Sequence, residues 1–83
     1  MIRYTVVLDP EPDGSAYTVT VPVLPGCVTW GETIDEALAN AREAIRVHVR
    51  GLAKAGDPVP VESPDLIVTG VEVKAPIGEL APA

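Results

Sequence analysis

Cys27 and His48 are the only thiol and the only imidazole in this 83-residue chain. A thiolate–imidazole pair is the first chemistry that their types allow. It requires the two side chains within hydrogen-bond reach and a third group to orient the ring. Their positions along the chain do not establish that, and each has a plainer explanation. Cys27 opens a short strand-like run just after a turn, where cysteine is most often a small buried apolar residue. His48, three residues after Ile45 and four before Leu52, falls on the flank of a helical apolar stripe.

Carboxylates offer a second chemistry, a metal-dependent nuclease in which several acids converge on Mg²⁺. Asp9, Glu36 and Glu43 are the candidates. Glu36 is better explained as part of a helix cap and Glu43 as a helix-surface charge. Glu72 alternates with Val71 and Val73 and so points away from their face. A solvated acidic surface is the better reading. Arg42, Arg46, Arg50 and Lys54 recur every four residues and hold four of the six basic side chains. Such a stripe could meet phosphate or an acidic partner, but cations near a helix C-terminus also serve the helix dipole and its polar face. No aromatic residues interleave with them for base stacking. Trp30 is the one indole, and either the core or an interface can use its large apolar body and single donor. No phosphate-binding glycine loop, zinc spacing or Ser-His-Asp set is present, and no cofactor is expected.

The elements that must position these residues follow from periodicity. Ile2, Tyr4, Val6 and Leu8 alternate with Arg3, Thr5, Val7 and Asp9, which predicts a strand with one buried face. The acidic Asp9–Gly14 loop ends it, and Tyr17 to Val23 alternates again as a second, antiparallel strand with Pro22 at its end. After Leu24-Pro25-Gly26, residues 27–31 predict a third strand with Val28 and Trp30 on one face. Thr33 and Glu36 form a capping-box pair, the hydroxyl serving the Glu36 amide and the carboxylate the Thr33 amide. The helix then runs on an apolar stripe of Ile34, Leu38, Ala41, Ile45, Val49 and Leu52. Gly56 and Pro58 stop it. Three prolines between Asp57 and Asp65 favour an extended connection, and Leu66–Lys74 reads as a fourth strand. The expected fold is α+β, a mostly antiparallel four-stranded sheet with one helix on one face, in the order β-β-β-α-β. It makes a single domain over 1–74, with 75–83 as a loosely held tail.

A core this small supplies only about 3–5 kcal/mol, and one helix cannot cover both faces of the sheet, so a homo-oligomer, dimer or tetramer, is expected. The net charge of −6 opposes general binding to nucleic acid or anionic membranes and favours a basic protein partner. The chain has neither a membrane-length apolar run nor a signal-peptide start, so a cytoplasmic location is expected.

Within this frame, Pro22, Leu24, Pro25, Gly26, Cys27, Thr29, Gly31, Glu32, Thr33, Glu36 and Ala37 match the pattern P-x-L-P-G-C-x-[TS]-x-G-[ED]-T-x-x-E-A. That stretch resembles the N-terminal domain of the HicB-like antitoxins, and the resemblance runs from about Ile2 to Lys74. It implies a non-catalytic domain that binds HicA, a small basic toxin that degrades mRNA, and covers the toxin's active face. The acidic balance suits such a partner. We expect Asp9, Glu11, Asp13, Trp30 and Glu32 to form the contact surface. Full-length members usually carry a further DNA-binding segment for which this sequence shows no helical pattern, so autonomous DNA binding is not expected. The alternatives are an orphan oligomeric relative with another partner and, behind it, a small RNase H-like nuclease.

Overall fold

Prolines, glycines and the reach of each alternating run set the lengths of the elements. The computed structural model describes residues 1–75. β1 (Val7–Pro10), β2 (Tyr17–Thr20) and β3 (Val28–Gly31) form one antiparallel sheet in the order β1-β2-β3, and α1 (Ile34–Lys54) follows. The β1–β2 connection closes through Glu11 N–H to Ala16 O at 2.8 Å and Gly14 N–H to Glu11 O at 2.8 Å, with Gly14 at φ 74°. β2 stops at Thr20 because the chain then turns twice, Leu24 N–H bonding Val21 O and Cys27 N–H bonding Leu24 O, both at 3.0 Å. Pro22 has no N–H to extend the ladder. With β2 so short, residues 2–6 have no paired neighbour among the described residues, and β1 begins five residues later than the alternation predicts.

The helix begins where the cap chemistry places it. Thr33 Oγ1 accepts from Glu36 N–H at 3.0 Å, and the Glu36 carboxylate accepts from the Glu32 amide at 3.3 Å, one residue earlier than the Thr33 amide expected. At the other end Gly56 at φ 76° donates to Ala53 O and Asp57 donates to Leu52 O, the paired bonds of a Schellman stop. α1 packs over β3 and β2, with little contact to β1. Its innermost residues are Ala37 and Ala41, which meet Val19, while Val21, Leu24 and Cys27 form an adjoining cluster against Tyr4, Ala44, Ile45 and Val49. Ile34, placed on the inward stripe by spacing, is exposed. Small residues occupy the centre because the helix lies very close to β3. A Cβ at Gly31 would stand 2.7 Å from Ala37 Cα and 2.9 Å from Glu36 C.

The fourth strand expected at Leu66–Lys74 is not formed, so the order among the described residues is β-β-β-α, with a three-stranded sheet. Among the described residues, the connection is tied to the sheet side as far as Glu62. Tyr4 Oη donates to Pro60 O at 2.7 Å, and Thr5 donates from N and Oγ1 to the Glu62 carboxylate at 2.8 and 2.9 Å. A turn closed by Leu66 N–H to Ser63 O then sends the chain into solvent. Alternation gave Leu66–Lys74 side chains suited to a sheet, but a strand also needs a neighbour for its N–H and C=O groups. The tail expected over 75–83 lies, beyond Ala75, outside the described residues.

Candidate partner-binding face

Strand register decides which predicted site residues meet. Val7, Thr20 and Val28 form one row across the sheet, and Asp9, Thr18 and Trp30 form the next. Leu8 and Val19 between them point to the helix, so both rows face the opposite side. Trp30 is 56% exposed and Val28 57% exposed there, which excludes the core alternative for the indole. Asn40 Nδ2 donates to Trp30 O at 2.7 Å, tying the backbone that carries the ring to α1. Glu11 lies on the same face, its Oε1 accepting from Thr18 Oγ1 at 2.9 Å.

Pro10, Tyr17 and Gly31 form the row at the end of the sheet. The loop bearing Asp13 and the residue Glu32 therefore leave from one end, beside Asp9 and Trp30. Asp13 caps its own loop, accepting from the Ser15 amide at 2.9 Å. Hydrogen bonding from Ser15 holds its carboxyl below the usual carboxylate range. A sequence signal here escapes a reading of motifs one at a time. Between Tyr4 and Ala41 the chain carries Asp9, Glu11, Asp13, Glu32, Asp35 and Glu36 but no lysine or arginine. The sheet and its hairpin loop are thus anionic throughout, and the cations gather on the later helix.

The catalytic alternatives fare differently. Cys27 and His48 do border one shallow depression of about 440 Å³, with Thr29, Asn40 and Val47 around it. No hydrogen bond joins them, and the Cys27 thiol, 4% exposed, has its pKa pushed up by burial. That favours the neutral thiol over the nucleophilic thiolate. Glu43 is paired with Arg46 on the helix surface. Glu36 serves the cap, and among the described residues no group of three or more His, Cys, Asp or Glu side chains comes together as a metal site. Arg42, Arg46, Arg50 and Lys54 are all exposed along α1, on the other side of the sheet from Trp30. No helix among the described residues is long and apolar enough to cross a membrane.

Residues 4–73 match the family model described as HicB-like antitoxin of bacterial toxin-antitoxin system. A UPF0150 protein of Thermoplasma acidophilum is 42% identical over 66 residues, which cover 80% of this chain and 94% of the relative. A UPF0150 protein of Synechocystis is 41% identical over 71 residues, 86% of each chain. The antitoxin HicB of Escherichia coli K12 is 33% identical over 63 residues, 76% of this chain but only 45% of that protein. Among solved structures, the N-terminal domain of the Burkholderia pseudomallei antitoxin HicB superposes with a TM-score of 0.58 at 50% identity, over 65% of this chain and 62% of that one.

Proposed function

This chain belongs to the HicB-like antitoxin family of bacterial toxin–antitoxin systems, and from that premise we propose that it neutralises a small basic HicA-type toxin by covering the toxin's active face. The observation that carries the reading is the gathering of Trp30, Asp9 and Glu11 on one sheet face that is uncovered among the described residues, with Asp13 and Glu32 at its adjoining end. An exposed indole amid apolar Val7 and Val28, rimmed by carboxylates, has the composition of a contact surface with an aromatic anchor. Its negative field speeds encounter with a cationic partner and disfavours acidic ones. The mechanism is occlusion, with no bond made or broken by this chain. Homo-oligomerisation and residence in the cytoplasm, beside the toxin's mRNA substrate, complete the proposal.

The test is an RNA-cleavage assay with a HicA-type toxin from the same genome, titrated with this protein. Stoichiometric inhibition is expected. Trp30→Ala should weaken binding by about 2 kcal/mol, roughly thirtyfold in Kd, and Asp9→Asn with Glu11→Gln should slow association at low salt. Full RNA cleavage in the presence of excess protein, or inhibition untouched by all three substitutions, would defeat the proposal.

A further inference from the structure

Three observations outside the Trp30 face bear on one another. First, β1 pairs only with β2, so among the described residues its outer edge is unladdered. Second, an apolar groove of about 520 Å³ lies beside the chain leading into β1, between Ile2, Tyr4 and Val6 on one side and Leu38, Ile45 and Val49 of α1 on the other. It exists because α1 sits over β3 and β2 and leaves its other flank uncovered. Third, Ile67, Val71 and Val73, which would share one face of a strand, are 81%, 88% and 83% exposed. They are the most exposed branched aliphatic residues described.

We infer that two copies of this chain exchange these segments, the stretch Leu66–Lys74 of each adding as a strand to the β1 edge of the other and placing Ile67, Val71 and Val73 in its groove. Dimensions agree. From Leu38 to Val49 the helix advances about 16 Å at 1.5 Å per residue, and from Ile67 to Val73 a strand advances about 20 Å at 3.3 Å per residue. Charge does not oppose it. The groove is bordered by Arg3, Arg42 and Arg46 with no carboxylate in its lining, and the inward row of Ile67, Thr69, Val71 and Val73 brings no cation against them.

The area is sufficient. At roughly 100 Å² per aliphatic side chain, the three inward residues, exchanged twice and counted with the surfaces they cover, remove about 1,200 Å² from water. That reaches the lower bound of specific interfaces, about 1,200–2,000 Å², before any main-chain contribution. The exchange is two-fold and self-complementary, so it closes at the dimer. Each added strand satisfies an edge that would otherwise invite uncontrolled pairing. The turn at Ser63–Leu66 carries the segment off its own domain and makes it available to the neighbour. The Trp30 face, on the far side of the sheet, stays open in this arrangement.

Light scattering coupled to size exclusion tests the inference at micromolar concentration. The parent should elute at twice its 8.7 kDa chain mass. Ile67→Asp with Val71→Asp should yield a monomer with the far-ultraviolet circular dichroism of a folded helix. A monomeric parent, or a dimer that survives both substitutions, would overturn it. Mixing Val71→Cys protein with Leu38→Cys protein under oxidation separates exchange from other dimers. A mixed disulfide between the two variants is expected, and a dimer that gives none would overturn the exchange.

Discussion

Gly31→Ala is the smallest change that should damage this fold badly. Gly31 lies in β3, not in a left-handed conformation, so the glycine answers a demand of space. The added methyl would stand 2.7 Å from Ala37 Cα and 2.9 Å from Glu36 C, both backbone atoms. Carbon atoms prefer about 3.5–4.0 Å, so the first turn of α1 must retreat by about 1 Å. Ala37 and Ala41 would then lift from Val19, opening the cluster at the centre of the sheet. Overpacking of this kind costs about 1–3 kcal/mol, and with no flexible side chain to yield, the upper half of that range applies. Reduced freedom of the unfolded chain returns about 0.4–1 kcal/mol. The net loss is about 2 kcal/mol, near half of what a core this size supplies. At about 4–8 °C per kcal/mol for a domain of this length, Tm should fall by about 8–16 °C. Thermal unfolding followed at 222 nm reads it, with Gly51→Ala as control. Gly51 is on the exposed helix surface with nothing within 4 Å of a new Cβ, so that change should stabilise by about 0.5–1 kcal/mol. A Gly31→Ala protein melting with its parent would refute the close-approach argument.

Thr33→Ala removes the acceptor for the Glu36 amide and should cost about 1 kcal/mol, read from the urea midpoint; no change there would mean that the cap is redundant with water. Cys27 should resist iodoacetamide in the folded protein at pH 8 and react at once in urea, because burial raises its pKa and so lowers the thiolate fraction at any given pH. His48→Ala should leave that resistance unchanged, and rapid labelling of the folded protein that depends on His48 would revive the dyad.

The turns, the cap, the helix and its stop were legible because each rests on interactions within a few residues: Gly14 and Gly56 at positive φ, Thr33 with Glu36, the Leu24 turn. Two kinds of information were not. The depth of helix packing depends on Gly31 opposite Ala37, residues from different elements, so spacing alone chose Ile34 for the interior where Ala37 belongs. Leu66–Lys74 has the alternation of a strand, but alternation records which faces differ in polarity and not whether a neighbour is present to accept the backbone. The candidate face was half legible. Its acids and Trp30 were picked by type, whereas their meeting depended on a register that pairs Thr18 with both Asp9 and Trp30.

The P-x-L-P-G-C pattern itself separates scaffold from surface. Apart from Glu32, which belongs to the candidate face, its specified positions mostly have structural duties in this fold. Leu24 and Cys27 are buried, Gly26 takes φ 84°, Gly31 admits the helix, Thr33 and Glu36 cap it, and Ala37 fills the contact. Thr29, paired with Val19, faces inward. The positions that it leaves open include Val28, Trp30 and Ile34, which are 57%, 56% and 52% exposed. A pattern that fixes the frame and frees the outward residues is what a module needs if one fold is to carry different contact surfaces. On the proposed function, specificity for a partner would reside in Val28, Trp30 and the acids across the sheet from them, which can change without touching the contacts that hold α1 on β3. Exchanging Val28 and Trp30 together for the residues of a relative should therefore leave the melting temperature within about 2 °C, as expected for exposed sites, while changing which toxin is bound. A large loss of stability on that exchange would show that the face is part of the frame.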